Sequence, residues 1–179
     1  VARALGLRYH RGMAKRIGGY TIQGELGQGG MGVTYRAWSE RHQRQVALKL
    51  CKPGLATVEE CARLVREGRV LAGIDHPFVV GVLDAGEHLG VPYLVMELVE
   101  GEDLRGRLRR GPLEPLAAAR LVRQVAEGVA QLHARGVVHR DLKPENVLLD
   151  RRGSPRVCDL GLARGDELSR LTATGDVLG

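Results

Sequence analysis

No stretch of this chain approaches the roughly 18 to 20 uninterrupted apolar residues that a membrane-spanning helix needs, so no membrane segment is expected within it. The basic N-terminus, residues 1–20, also lacks an apolar run followed by a small-residue cleavage site. It is not read as a secretory leader, and a cytoplasmic location is expected, with any membrane tether of the full-length protein lying beyond this chain. Cysteine is scarce: Cys51, Cys61 and Cys158 are odd in number and far apart. That excludes a disulfide framework and a zinc site built from closely paired ligands. Aromatic residues make up 3% of the chain, too few for a base-stacking surface, and the arginines are spread along its length. The net charge of +6 is therefore not read as a nucleic-acid footprint, and no nucleic-acid partner is expected. Internal repeats and low-complexity segments are absent too.

What is present begins with organisation. A chain of 179 residues is long enough to bury a real core. Residues 1–19 show no clean period, end in Ile17-Gly18-Gly19 and are read as a tail or linker, with Met13 a candidate start. From Tyr20 the pattern becomes short and alternating: Tyr20-Thr21-Ile22, Val33 to Ala37, and Gln45 to Leu50 read as three antiparallel strands. A helix is predicted over 57–72, where Leu64, Glu67 and Leu71 share a face, and a carboxylate turned inward there needs a partner. Strands at Val79 to Leu83 and Pro92 to Leu98 complete a five-stranded sheet with one helix. After Glu100-Gly101 the texture becomes helical. Leu121, Val122, Val125, Val129 and Leu132 recur at steps of three and four within 113–134, with Gly136 as the stop. Short strands are predicted at Val137-Val138, Val147 to Leu149 and Val157-Cys158.

Three segments carry chemistry. Gly27-Gln28-Gly29-Gly30-Met31-Gly32 lies between two predicted strands, where glycines let backbone close over a polyphosphate and present N–H groups to its oxygens. The loop leads into a strand rather than a helix, which disfavours a dinucleotide fingerprint. Val46-Ala47-Leu48-Lys49 then puts a lysine on the next strand, in reach of α- and β-phosphates, with the inward Glu67 to hold it as an ion pair. Lysine is otherwise rare here. Of 27 basic residues only Lys15, Lys49, Lys52 and Lys143 are lysine, and two of these four fall in the motifs, where a compact ammonium serves and the forked guanidinium does not. The third segment is Val138-His139-Arg140-Asp141-Leu142-Lys143-Pro144-Glu145-Asn146-Val147, followed by Asp159-Leu160-Gly161.

Taken in order and spacing, these motifs resemble those of eukaryotic-type protein kinases, and the loop wording Arg-Asp-Leu-Lys-Pro-Glu-Asn resembles the serine/threonine subclass. Leu-Gly-Gln-Gly-Gly-Met-Gly at 26–32 and Leu-Thr-Ala-Thr-Gly-Asp-Val-Leu-Gly at 171–179 are similar to bacterial receptor kinases of that family. The resemblance, over residues 20–179, implies an α+β, two-lobe fold: an N-lobe of five antiparallel strands and one helix over 20–98, and an incomplete, mainly helical C-lobe over 99–179 that ends within the activation segment. It implies phosphorylation of protein serine or threonine hydroxyls with ATP and Mg2+, Mn2+ being an alternative, and homodimerisation for autophosphorylation. Asp141 would then accept or orient the substrate hydroxyl proton, and Lys143 would neutralise the transferring phosphoryl group, while Lys49 and Glu67 form the phosphate-binding pair. Asn146 and Asp159 would hold the metal. Leu26, Gly27, Gly29, Gly32, Thr34, Ala47, Lys49, Met96, Glu97, Val99 and Leu148 would surround the nucleotide, joined by Leu104, with Met96 as gatekeeper and Glu97 to Val99 as the hinge that reads adenine. Thr172 and Thr174 resemble activation-loop phosphorylation sites.

The chain departs from the family pattern at Thr34, where valine is usual, and at Leu160, where phenylalanine is. Gly68 beside Glu67 weakens the predicted helix by up to about 1 kcal/mol. By this resemblance the chain is expected to be part of a kinase domain, and the apolar stripe of its long helix needs partners beyond Gly179. A catalytically inactive nucleotide-binding or interaction fragment is the alternative. A small-molecule phosphotransferase, a third reading, would not be expected to carry the Leu-Lys-Pro-Glu wording.

Overall fold

The computed structural model describes residues 15–29, 32–51 and 72–159. Six antiparallel strands form the first layer: β1 (Arg16–Ile17), β2 (Tyr20–Gln28), β3 (Gly32–Ser39), β4 (Arg44–Cys51), β5 (Val82–His88) and β6 (Val91–Glu97). They lie side by side in the order β1-β2-β3-β4-β6-β5. The period-2 pattern explains which face is which. Along β3, Val33, Tyr35 and Ala37 point into a core, while Thr34, Arg36 and Trp38 alternate outward. Along β4, Val46, Leu48 and Leu50 are fully buried in that same core with Ile17, Tyr20, Tyr93 and Val95. Each such side chain contributes about 1.5–3 kcal/mol by leaving water.

The opposite face of the sheet points towards the rest of the chain. Ala47, Leu94 and Met96 pack there in a second cluster with Ile74, Val79, Val80, Leu132 and Val157. Strand β6 is buried on both faces, which is why it reads as an unbroken apolar run from Val91 to Met96.

Past the first sheet come β7 (Gly101–Asp103), α1 (Leu104–Leu108), α2 (Pro115–Ala134), β8 (Val147–Asp150) and β9 (Pro155–Val157). Helix α2 starts with Pro115 in its first turn, and the Glu114 carboxylate accepts the Ala117 N–H at 3.0 Å. It stops at Gly136, whose φ of +71° only glycine adopts without strain, and whose N–H donates to the His133 carbonyl. Inside the helix Gly128 costs about 1 kcal/mol against alanine. A Cβ there would come within 2.7 Å of the Phe78 carbonyl oxygen, so the glycine lets α2 lie directly against that backbone. Strands β7, β8 and β9 form a small antiparallel sheet that carries the loops of the site.

The two-lobe α+β reading holds, with differences at the edges. Residues 16–17, assigned above to a tail, are a sixth strand. Ile17 supplies a fully buried side chain, and Arg16 pairs with Thr21. The strand expected at Val79 to Leu83 begins only at Val82, because Val79 and Val80 instead bond β9: Val80 N–H donates to Val157 O, and Val157 N–H to Phe78 O, each at 2.8 Å. Val137-Val138 is not a strand, while β7, with one glycine and two carboxylates, is one only because β8 pairs with it. The helix predicted over 57–72, with Glu67, lies outside the described residues except for its last position, as do Gly30 and Met31 and the segment from Leu160 to Gly179 with Thr172 and Thr174. Among the described residues no helix is long and apolar enough to cross a membrane.

Candidate active site

The loop between α2 and β8 is irregular, and each of its turns is held by a specific bond. His139, 3% exposed, bonds through Nε2 with the Cys158 carbonyl at 2.9 Å. The Asp141 N–H then turns back onto the His139 carbonyl at 2.8 Å, closing a tight turn whose central residue, Arg140, takes φ +60°. Such a left-handed conformation costs a non-glycine residue of order 1–3 kcal/mol and persists only where its surroundings enforce it. Asp159 is left-handed as well, at φ +57°. One strained position precedes Asp141 and the other is itself a predicted site residue.

Asn146 is buried at the end of a short 3-10 turn, Pro144–Asn146. Its amide nitrogen donates to Asp141 twice, to the backbone oxygen at 2.8 Å and to Oδ2 at 3.2 Å. Its own carbonyl accepts the Cys158 N–H at 2.9 Å, which ties the loop to the residue before Asp159. Lys143 Nζ lies 2.7 Å from Asp141 Oδ2, and that hydrogen bond holds the ammonium above its ordinary pKa. Arg105 of α1 pairs with Glu145, which fastens the loop from outside and holds the Glu145 carboxyl below its ordinary value.

From the sheet, Lys49 reaches across to Asp159 at 2.5 Å, with its side chain only 17% exposed. These residues are 110 positions apart, and the ion pair joins the two regions of the molecule. Burial pushes the adjacent Cys158 thiol up to about 12, reinforced by the charge of Asp159, so it stays a neutral wall of the site.

Of the residues predicted to surround a nucleotide, Ala47 and Met96 are directly paired neighbours on β4 and β6, and they pack in one cluster with Val99, Leu148 and Val157. Thr34 lies opposite Lys49 on β3. Leu26 and Gly27 are on the exposed end of β2 and Gly29 follows it, and a Cβ on either glycine would meet none of the described residues within 4 Å. Gly32 is buried, and a Cβ there would strike the Leu50 carbonyl at 2.2 Å, so this glycine serves strand packing. The Leu104 side chain is partly buried at the start of α1 and is not part of that cluster.

Sequence reasoning assigned no role to His139 or to the Cys158 carbonyl. A signal existed: a histidine between Val138 and a charged pair, in a segment where every other residue but Asn146 is apolar or ionic. What it anchors, 19 residues on, is set by the fold.

The arrangement brings an aspartate, a lysine touching it, a buried amide and a second aspartate–lysine pair into one cleft between a sheet and a loop. It can orient a hydroxyl, neutralise phosphate charge and offer a cation two oxygen donors. Residues 20–174 match the protein kinase domain family. The chain is 39% identical to the serine/threonine-protein kinase PknL of Mycobacterium tuberculosis over 162 residues, 89% of this chain and 41% of PknL. It is 41% identical to the serine/threonine-protein kinase pkn2 of Myxococcus xanthus over 169 residues, covering 90% of this chain and 20% of that protein. With the serine/threonine-protein kinase PrkC of Bacillus subtilis the identity is 37% over 170 residues, 93% of this chain and 26% of PrkC. The chain thus spans well under half the length of these relatives. Among solved structures, the PknI kinase domain of Mycobacterium tuberculosis superposes with a TM-score of 0.77 at 30% identity, over 92% of this chain and 68% of that one.

Proposed function

This chain belongs to the protein kinase domain family and has its fold, and on that premise we propose that it transfers the γ-phosphoryl group of ATP to serine or threonine hydroxyls of proteins. The family uses ATP and a divalent metal, and the finer assignments that follow are our reading. One observation carries it: Lys143 and Asn146 both bond Asp141 within the loop, Lys49 of β4 pairs with Asp159, and the Asn146 backbone carbonyl ties the two groups by accepting the N–H of Cys158, next to Asp159.

Phosphoryl transfer asks little covalent chemistry of a protein; positioning and charge supply most of the acceleration. In our reading Asp141 takes the hydroxyl proton of the substrate. Its carboxylate is aimed by Asn146 and Lys143, and its backbone by the turn at Arg140. Lys143 is fully charged at neutral pH and would neutralise the phosphoryl group as it moves. Lys49 would let go of Asp159 to hold phosphate oxygens, and Ala47, Met96 and Leu148 would form the apolar walls around adenine. The residues fit a divalent cation of the magnesium type, which takes few protein oxygens and completes its shell with phosphate and water. Asn146 spends its amide hydrogens on Asp141, which leaves its oxygen to offer, and Asp159 supplies a carboxylate. When bound, the cation would neutralise charge on the phosphates.

The test is Lys49→Met in the full-length protein, with Mg2+ and with chelator. Loss of about 3–4 kcal/mol of transition-state stabilisation is expected, since that is what one such electrostatic group typically supplies. Equal peptide phosphorylation by wild type and variant would reject the assignment of Lys49. Phosphate on Thr172 or Thr174, found by mass spectrometry and dependent on this lysine, would support autophosphorylation through a homodimer.

A further inference from the structure

Along the segment joining the two sheets, two carboxylates are each shared between the regions that flank it. Glu97 places Oε1 3.8 Å from Arg44 of β4 and Oε2 3.0 Å from Arg156 of β9. Glu100 repeats the arrangement: Oε1 is 3.8 Å from Arg36 of β3, and Oε2 is 2.7 Å from Arg151 in the β8–β9 turn. In both cases one oxygen faces an arginine of the first sheet and the other an arginine of the second. The surroundings are built to suit. Position 81 is glycine, and a Cβ there would come within 3.1 to 3.3 Å of the Glu97 carboxylate group, while the Glu97 N–H is fixed on the Gly81 carbonyl at 2.9 Å. Asp150 Oδ1 accepts the N–H groups of Arg152 and Ser154, which shapes the turn that presents Arg151 and Arg156.

We propose that Glu97 and Glu100 form an ionic clamp across the hinge, which restrains the opening of the two lobes and thereby slows nucleotide release. The clamp joins the lobes at residues 97 and 100, while the Lys49–Asp159 contact joins them at a second, separate place. In this reading a nucleotide leaves as the lobes part, which draws Arg44 and Arg36 of the first sheet away from Arg156 and Arg151. Exposed pairs are weak one at a time. Four of them on two shared carboxylates form a network, and each carboxylate loses its bridge when either arginine goes. These side chains are between about a third and three-quarters exposed, and Arg44, Glu97, Glu100 and Arg156 line a cavity of about 270 Å³ with Leu98 and Val99, so the clamp is expected to be sensitive to salt.

The part that concerns nucleotide rests on the function proposed above; the clamp itself can be read without it. In the full-length protein, hydrogen exchange over residues 97–101 is compared without nucleotide for wild type, Arg44→Gln, Arg156→Gln and the double variant. Each single variant is expected to speed exchange about two- to fivefold, the double no further, and salt at about 0.5 M brings wild type to the variants' rate. Arg151→Gln, on a side chain three-quarters exposed, repeats the test at Glu100 without threatening the fold. Additive effects in the double variant, or hinge exchange indifferent to all of these changes, overturn the clamp. Release of a fluorescent ADP should rise in the same order; equal release from every variant overturns the link to nucleotide. If the wild type fails to bind that ADP while exchange behaves as described, the nucleotide reading falls and the clamp stands.

Discussion

The sheet of β1 to β6 and the loop from His139 to Asn146 are held together by opposite means. The sheet closes on fully buried Val46, Leu48, Leu50 and Val95, with backbone bonds running strand to strand. The loop buries the polar His139 and Asn146 and is kept in shape by side chains bonded to backbone. Apolar contact is non-directional and tolerates small shifts. A bond such as Asn146 to Asp141 is directional and sets the angle of a carboxylate. Most of the proposed chemistry, Lys49 of β4 and Asp159 apart, therefore falls in the part with less apolar support. Helix α2 lies between these extremes. Leu132 is fully buried, whereas Leu116 and Val122 are 58% and 64% exposed.

Substitutions in each region should separate these two kinds of support. The largest effect is expected from Asp141→Asn in the full-length protein: turnover falls roughly 10² to 10⁴-fold while nucleotide affinity and thermal stability are kept. A parallel loss of affinity, measured by titration, would mean that the loop and the cleft are one structural unit. Leu48→Ala should do the reverse, costing about 2–5 kcal/mol in denaturant unfolding with little change in KM for ATP as long as the protein is folded. Val122→Ala, the same truncation of an apolar side chain on the exposed part of α2, should stay within about 0.5 kcal/mol. A cost comparable to that of Leu48 would show that Val122 is covered in the full-length protein.

His139→Ala should produce a mixed result. Removing the partner of the buried Cys158 carbonyl costs about 1–3 kcal/mol of stability, and turnover should fall with KM for ATP unchanged, because Asp141 loses the anchor of its turn. Unaltered turnover would confine His139 to a structural role.

The smallest effect concerns Cys158. Burial raises its thiol from an ordinary 9.0 to about 12. In the unfolded chain the thiol ionises from about pH 9, while the folded protein keeps its proton. The stabilisation is thus fully present below pH 9 and is lost as pH rises towards 12. Alkylation mapped by mass spectrometry at pH 9 should leave Cys158 unmodified until the protein is unfolded. Rapid modification of the folded protein would show that the loop opens readily.

Much of this was legible in the residues themselves. Strands β2, β3, β4 and β6 follow from period-2 or unbroken apolar runs, and α2 from its three-and-four spacing and Gly136. The rarity of lysine singled out Lys49 and Lys143, and the His139 to Asn146 wording singled out the loop. These are local signals, set by backbone geometry and by which chemical group a task needs. Partnership over distance was not legible. Arg16–Ile17 and Gly101–Asp103 have no strand-like pattern of their own and become strands because β2 and β8 offer them bonds. Lys49 meets Asp159 across 110 positions, and Glu97 meets Arg156 across 59. A charged side chain looks the same in sequence whether it is solvated or paired. Only the tertiary structure, by bringing two lobes against one hinge, decided which arginines those glutamates would share.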